Sequence, residues 1–106
     1  MKSQYAVQRI VKDVKNEDER VQITGYINKI ANEDFFILDD KSGEIKVNIK
    51  EIDFNYKEKD LVNVIGDLVI STNGEKSIAV DIIQDMNNLN FNYYRKLYDL
   101  KKDLEK

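Results

Sequence analysis

The chain has 106 residues, with no cysteine and no histidine. Disulfides, zinc sites built from these residues and proton transfer by imidazole are therefore excluded. A formal net charge of -3 argues against a protein that coats nucleic acid by charge alone, because such affinity comes from cations that neutralise phosphates. The length fits one domain with a single hydrophobic core.

Neither a membrane span nor a signal peptide is visible in the sequence. No apolar run approaches the length of a transmembrane helix, and the first residues lack a signal-peptide apolar stretch. We therefore expect an intracellular protein with no membrane partner. Its place would be the cytoplasm or nucleoid, or the nucleus if the source is eukaryotic.

Residues 1–19 form a leading segment whose apolar spacing fits either a short helix or a leading strand. From Arg20 apolar and polar residues alternate, which predicts a strand with one side facing a core. Gly25 lies in the middle of this strand and predicts a bulge or sharp bend there. The inward residues are Val21, Ile23 and Ile27, and the outward ones are Gln22, Thr24, Tyr26 and Asn28.

Two short strands follow, at residues 35–39 and 44–49, joined by an Asp-Lys-Ser-Gly turn. Gly43 is expected to supply the positive φ that such a turn needs. Alternation places Phe36 and Leu38 inward, together with Ile45, Val47 and Ile49. Phe35 and Ile37 then point outward.

Two longer strands complete the pattern. Residues 50–59 mix Ile52, Phe54 and Tyr56 with charges and predict a short plug or loop that closes the bottom of a barrel. A strand at 61–70 bends at Gly66, and Asn73-Gly74 predicts a hairpin into a strand at 76–83. The predicted fold is all-β with a C-terminal helix: a five-stranded Greek-key OB barrel followed by one amphipathic α-helix.

The helical period begins after residue 88, so we divide the chain into a barrel, 1–88, and a C-terminal helix, 89–106. Asn90 or Asn88 is expected to cap the helix. The apolar stripe exceeds what one barrel end needs, which predicts a subunit interface; the alternative is a helix that packs back on its own barrel. The predicted interface residues are Tyr93, Leu97, Leu100 and Leu104, flanked by Tyr94 and Tyr98.

Several motifs occur in an order that resembles a known family. They are a first strand broken by Gly25, the run from Phe36 to Val47, Val-x-Val-x-Gly at 62–66, Lys-Ser-Ile-Ala-Val at 76–80 and Asp-Met-Asn at 85–87 ahead of a helix. This set is similar to OB subunits of the replication protein A family, most like the middle subunit or its telomere-capping counterpart. The resemblance spans roughly residues 20 to 100. It implies a subunit that binds single-stranded DNA modestly and joins partner subunits through its C-terminal helix.

An outward-facing aromatic residue beside cations predicts a nucleic-acid platform on the second and third strands of the barrel. OB barrels stack bases on such aromatics and hold phosphates with neighbouring lysines. The alternative is that the N-terminal segment covers Phe35 and Ile37 and that the lysines are ordinary solvated surface. The predicted platform consists of Tyr26, Phe35, Ile37, Lys46, Asn48 and Lys50.

Catalysis has little support in the sequence. Aspartates collect at turns for conformational reasons, and no nucleophile with a base partner, phosphate loop or calcium loop is present. We expect no enzyme activity, no cofactor and no metal site. The leading hypothesis is an OB subunit that binds single-stranded DNA in replication or repair, with RNA as the second choice of nucleic acid, and that assembles with replication protein A-like subunits or with itself. The alternatives are an OB protein-interaction subunit without nucleic-acid binding and an anticodon-type RNA-binding module.

Overall fold

A computed structural model describes residues 5–50 and 52–104 of the chain. Within these residues a short 3-10 helix, Val11–Asp13, follows the first strand, and an α-helix follows the last. None of the described helices is long and apolar enough to cross a membrane. The strands are β1 (Val7–Gln8), β2 (Arg20–Ile30), β3 (Phe35–Asp39), β4 (Glu44–Asn48), β5 (Leu61–Ile70) and β6 (Lys76–Asp85), and the α-helix is α1 (Phe91–Leu104).

The long strand β2 closes the sheet into a barrel. Its first part, residues 20–26, pairs with β5, and its second part, residues 26–30, pairs with β3. β3 continues to β4, and β4 pairs in parallel with β6, which pairs with β5. This is the five-stranded OB barrel with a C-terminal helix that the sequence predicted. β1 adds a two-residue parallel pairing with Val21 and Gln22, so the leading segment contains both a strand and a short helix.

The barrel interior is filled by the residues that alternation assigned to it. Phe36 and Leu38 are fully buried, and so is Val47 on the neighbouring strand. The link between β4 and β5 closes one end, because Phe54 stacks on Phe36 with ring centroids 5.2 Å apart. The predicted plug is therefore confirmed. The other predicted core residues of β2 and of the β4 region are buried as well: Val21, Ile23, Ile27, Ile45 and Ile49.

Gly66 stands where β5 and β6 approach too closely for any side chain. A Cβ atom at this position would lie 2.3 Å from the carbonyl oxygen of Ala79 and 2.7 Å from the Cα of Val80. The register between β5 and β6 shifts at Ile65 and Gly66, as at a β-bulge. The predicted bend in this strand thus coincides with an irregular ladder that glycine alone accommodates.

The turn between β3 and β4 corrects the prediction for Gly43. The positive φ belongs to Lys41, at 74°, whereas Gly43 is not among the residues with positive φ. Two aspartates hold this turn, because the carboxylate of Asp39 accepts the backbone N–H of Lys41 at 2.8 Å and that of Asp40 accepts the N–H of Ser42 at 3.0 Å. Side-chain hydrogen bonds of this kind allow a lysine to take the left-handed conformation.

Candidate nucleic-acid and subunit interfaces

The outer face of β3 and β4 brings four of the six predicted platform residues together. Phe35 lies opposite Asn48, and Ile37 lies opposite Lys46. The ammonium of Lys46 stands over the Phe35 ring, 4.3 Å from its centroid. All four side chains are half-buried. Aromatic rings and lysines on this face are the residue types with which OB barrels stack bases and contact phosphates. The ammonium covers one face of the Phe35 ring in a cation–π contact, so a base that stacks on that face takes the place of the ammonium.

A groove of about 420 Å³ crosses this face between the 3-10 helix and the β5–β6 hairpin. Val11 and Lys76 line this groove, together with Ile37 and Lys46. Glu44 and Glu75 also line the groove, so its charge is mixed. Among the residues that the structure describes, Val11 of the leading segment therefore flanks the platform without covering it.

The other two predicted platform residues lie apart from this group. Lys50 is exposed just beyond β4, where its backbone N–H donates to the side-chain oxygen of Asn48 at 3.1 Å. Tyr26 pairs with Asp39 at the opposite end of β3 from Phe35, about 13 Å along the strand. Its ring packs edge-on against Phe91 at 5.2 Å and lies under Lys41 at 5.5 Å. Tyr26 therefore packs against the first residue of α1 instead of joining the platform.

The helix α1 begins with the predicted cap. The side-chain oxygen of Asn90 accepts the backbone N–H of Tyr93 at 3.0 Å, and the Asn90 carbonyl accepts the N–H of Tyr94. Phe91 and Tyr98 are the buried residues of the helix. α1 therefore packs back on its own molecule, but through a face that differs from the Tyr93–Leu104 stripe.

The docking face of α1 is tied to the leading segment by hydrogen bonds. The Tyr98 hydroxyl donates to Asp13 Oδ2 at 2.9 Å, and the Lys102 ammonium donates to the same oxygen at 2.8 Å. One turn earlier, the side-chain amide of Gln8 donates to the Tyr94 hydroxyl at 2.9 Å. Two of the predicted interface residues, Tyr94 and Tyr98, are therefore engaged within the molecule.

These contacts shift the pKa values of both partners. Burial raises the pKa of Tyr98 to about 12, and the hydrogen bond to the Asp13 carboxylate adds to the effect. Burial would raise the pKa of Asp13, but the hydrogen bonds from Lys102 and Tyr98 outweigh it, and the pKa is lowered. At neutral pH the contact is thus a neutral phenol and an ammonium, both donating to an ionised carboxylate.

Asp40 joins three parts of the molecule by hydrogen bonds, a role that the sequence did not predict. Its side chain is fully buried and accepts the backbone N–H of Val11 at 2.7 Å and the hydroxyl of Ser42 at 2.6 Å. Its backbone carbonyl accepts the guanidinium of Arg95 at 3.0 Å. The leading segment, the β3–β4 turn and α1 therefore meet at one residue. The turn signal Asp-Lys-Ser-Gly was visible in the sequence, but nothing there revealed the two distant partners.

The remaining interface candidates form an exposed stripe on α1. Tyr93 is 60% exposed, Leu97 49%, Leu100 61% and Leu104 86%. These four residues define what we call the α1 stripe. Because they are large and apolar and follow one another along one helix, they make a contiguous patch of the kind found at interaction sites.

Comparisons with known proteins identify relatives of the fold. A family model described as "Bacterial OB fold (BOF) protein" matches residues 3–85. No curated protein matches the sequence significantly.

Among solved structures, the telomere capping protein Ten1 of S. pombe is 16% identical, with a TM-score of 0.73 over 93% of this chain and 99% of that one. A chain of the S. pombe Stn1-Ten1 complex is 17% identical, with a TM-score of 0.74 over 95% of each chain. The hypothetical protein ygiW from E. coli is 21% identical, with a TM-score of 0.63 over 80% of this chain and all of that one. A replication protein A heterotrimer bound to single-stranded DNA provides a further match at 19% identity, with a TM-score of 0.61 over 82% of this chain and 73% of that one. At these identities the likeness establishes the fold.

Proposed function

The chain belongs to the bacterial OB fold (BOF) protein family, and from this premise we propose that it is an OB subunit that binds single-stranded DNA. In this proposal it acts in DNA replication or repair and assembles with partner subunits through α1. Its role is binding, without catalysis.

The observation that carries the proposal is the Phe35–Lys46 pair on the outer face of β3 and β4. The aromatic ring is half-buried and keeps an accessible part, and the ammonium is 4.3 Å from its centroid. This face is the one that OB barrels use for oligonucleotides and oligosaccharides. Stacking on an aromatic contributes about 1 to 3 kcal/mol per base and tolerates any base, because each base has a π-face.

Two structural neighbours also support a role as a subunit of a complex. One is a chain of the S. pombe Stn1-Ten1 complex, and another belongs to a replication protein A heterotrimer bound to single-stranded DNA. In both, a barrel of this fold is part of an assembly of different subunits. The exposed α1 stripe gives this chain a surface suited to such an assembly.

Charge sets the expected strength of binding. The lysines near the platform, such as Lys46 and Lys76, share the groove with Glu44 and Glu75. Two to four neutralised phosphates would give a log–log salt slope of about -1.4 to -2.8. We therefore expect modest affinity with a moderate dependence on salt.

The test is fluorescence anisotropy with a labelled single-stranded oligonucleotide at low salt. Phe35→Ala should weaken binding by about 5- to 150-fold, which corresponds to the stacking of one base. Tyr93→Ala is the matched control, since Tyr93 is an exposed aromatic on α1 outside the platform. Equal affinity of the Phe35→Ala variant and the parent, or no binding by the parent, would contradict the proposal.

A second candidate is favoured by the carboxylates of the groove. Glu44 and Glu75 repel phosphates, and the chain has a net charge of -3, which suits an OB subunit that binds only proteins. If the parent chain binds no DNA but binds a partner protein through the α1 stripe, the protein-interaction subunit is the correct candidate. Competition between DNA and RNA oligonucleotides separates both from an RNA-binding OB module, which would prefer RNA.

A further inference from the structure

The groove on the outer face of β3 and β4 contains carboxylates as well as lysines. Glu44 and Lys46 line it from β4, and Glu75 and Lys76 line it from the β5–β6 hairpin and the start of β6. Because carboxylates repel phosphates, a nucleic-acid strand in this groove must turn its phosphates towards the ammonium groups. The part of a nucleotide that can face a carboxylate is a base edge that carries N–H donors.

Glu44 is the carboxylate that the barrel holds in place. It is the first residue of β4 and shares the outer face of that strand with Lys46, since residues two apart lie on one side. The side-chain amide of Asn28 on β2 donates a hydrogen bond to Glu44 Oε2. Glu75, in contrast, lies exposed in the turn before β6. A carboxylate that is already held loses less side-chain entropy when it accepts a further hydrogen bond.

The hydrogen bond from Asn28 leaves Glu44 able to accept others. An ionised carboxylate has two oxygens with about four lone-pair positions, and the Asn28 amide donates to only one of the two oxygens. Glu44 is exposed and lines the groove, so a ligand in the groove can reach the remaining acceptor positions. A carboxylate offers only acceptors to that ligand, whereas a lysine offers only donors.

The position of Glu44 separates it from the stacking site at Phe35. Glu44 lies four residues along β4 from Asn48, the residue opposite Phe35, which is about 13 Å at the usual rise per residue. Ile37 lies between Phe35 and the end of β3 beside Glu44, and its apolar side chain lines the groove. A base that meets Glu44 is therefore a neighbour of the base that stacks on Phe35.

We propose that Glu44 selects bases that carry an exocyclic amino group, so that among the pyrimidines it favours cytosine over uracil and thymine. The N4 amino group of cytosine donates hydrogen bonds, and carboxylates accept from it in base recognition. Uracil and thymine carry the carbonyl oxygen O4 at that place, which repels a carboxylate, and their N3–H lies between two carbonyl oxygens. The proposal rests on the proposed function and adds to it a preference among bases.

The expected preference is small but measurable. Because Glu44 is exposed, a hydrogen bond from an amino group to its carboxylate contributes at the lower end of the range for base contacts. We expect a deoxycytidine oligonucleotide of about ten nucleotides to bind about threefold to tenfold more tightly than a deoxyuridine oligonucleotide of equal length. The two have the same backbone and differ only at N3 and C4 of the base, so phosphate contacts cancel in the comparison.

Glu44→Gln is the decisive variant, measured by fluorescence anisotropy with the full chain. Asn28 can still donate to the side-chain oxygen at this position, so the new NH₂ group replaces the other carboxylate oxygen and donates where that oxygen accepted. The variant should bind the deoxyuridine oligonucleotide at least as tightly as the deoxycytidine one. Glu75→Gln is the matched control, since it removes the same charge from the same groove. It should strengthen the binding of both oligonucleotides equally and keep the preference.

Three results would overturn the proposal: equal affinities of the parent for the two oligonucleotides, a preference that survives in Glu44→Gln, or a preference that disappears in Glu75→Gln. Phe35→Ala distinguishes such a failure from failure of the proposed function. If Phe35→Ala weakens the binding of both oligonucleotides alike, stacking on the platform stands and only the choice of base is wrong. If the parent binds neither oligonucleotide, the proposed function and the base preference both fail.

Discussion

The contact between Tyr98 and Asp13 predicts a specific loss of stability at alkaline pH. The phenol is buried and donates to a carboxylate, so ionising it would place two negative charges within hydrogen-bond distance. Folding therefore favours the neutral phenol and raises the Tyr98 pKa from 10.0 to about 12. A group whose pKa is raised on folding contributes stability that is complete below the unfolded pKa, here 10, and is lost as the pH rises through about 12.

The magnitude follows from the same two values. The difference between 10.0 and about 12 corresponds to at most about 2.7 kcal/mol of unfolding free energy, at 1.36 kcal/mol per pH unit. Tyr98→Phe removes the titrating group together with its hydrogen bond to a charged acceptor, which contributes about 1.5 to 3 kcal/mol. The variant should be less stable than the parent at pH 8, and the gap should close as the pH approaches 12.

Urea unfolding at a series of pH values from 8 upwards measures this gap. Tyr93→Phe is the matched control, because Tyr93 is a 60% exposed tyrosine on the same helix and its removal should leave the pH profile of the parent unchanged. Contributions from groups that the compared proteins share cancel in the difference between them. A gap between parent and Tyr98→Phe that stays constant up to pH 12 would refute the reasoning.

Two further substitutions probe what holds the barrel and its leading segment. Gly66→Ala places a Cβ 2.3 Å from the Ala79 carbonyl oxygen and should reduce the unfolding free energy by about 3 kcal/mol or more. In the matched control Gly74→Ala, the added Cβ lies within 4 Å of no other atom. This variant should lose only about 1 kcal/mol of unfolding free energy, because alanine is strained at a positive φ. Equal losses in the two variants would contradict the steric argument. Asp40→Ala removes the buried carboxylate that accepts the Val11 N–H and should lower the unfolding free energy by about 2 to 4 kcal/mol. Amide exchange at Val11 should accelerate with it, and unchanged protection there would show that Asp40 does not anchor the leading segment.

The strands were predictable because the alternation of apolar and polar residues shows which side chains face the core. A period of two assigns each side chain to one face, which predicts Phe36 inward and Phe35 outward from the sequence alone. The hairpin glycine at 74 and the helix cap at Asn90 were also readable, since each depends on local backbone chemistry. These two predictions rest on neighbouring residues in the chain and were confirmed for this reason, whereas the positive φ predicted at Gly43 belongs to Lys41.

Features that depend on distant partners were not predictable. Thr24, assigned to the outward side of its strand, is only 4% exposed, and its hydroxyl donates to the side chain of Asn63 on the neighbouring strand. Tyr26 was grouped with the platform, yet it packs against Phe91, which lies 65 residues later in the chain. The apolar stripe of α1 was visible, but the docking face was not, since Tyr98 and Lys102 owe their role to Asp13. Such contacts arise from topology, which residue spacing does not encode.

The central claim is that the outer face of β3 and β4 receives single-stranded nucleic acid. An NMR titration of the full chain with a single-stranded oligonucleotide of about ten nucleotides, within the site size of one OB fold, tests it most directly. We predict progressive shifts of the amide signals of Phe35, Ile37, Lys46 and Asn48, with the barrel interior unaffected. Unchanged spectra at low salt, or shifts confined to α1, would contradict the claim.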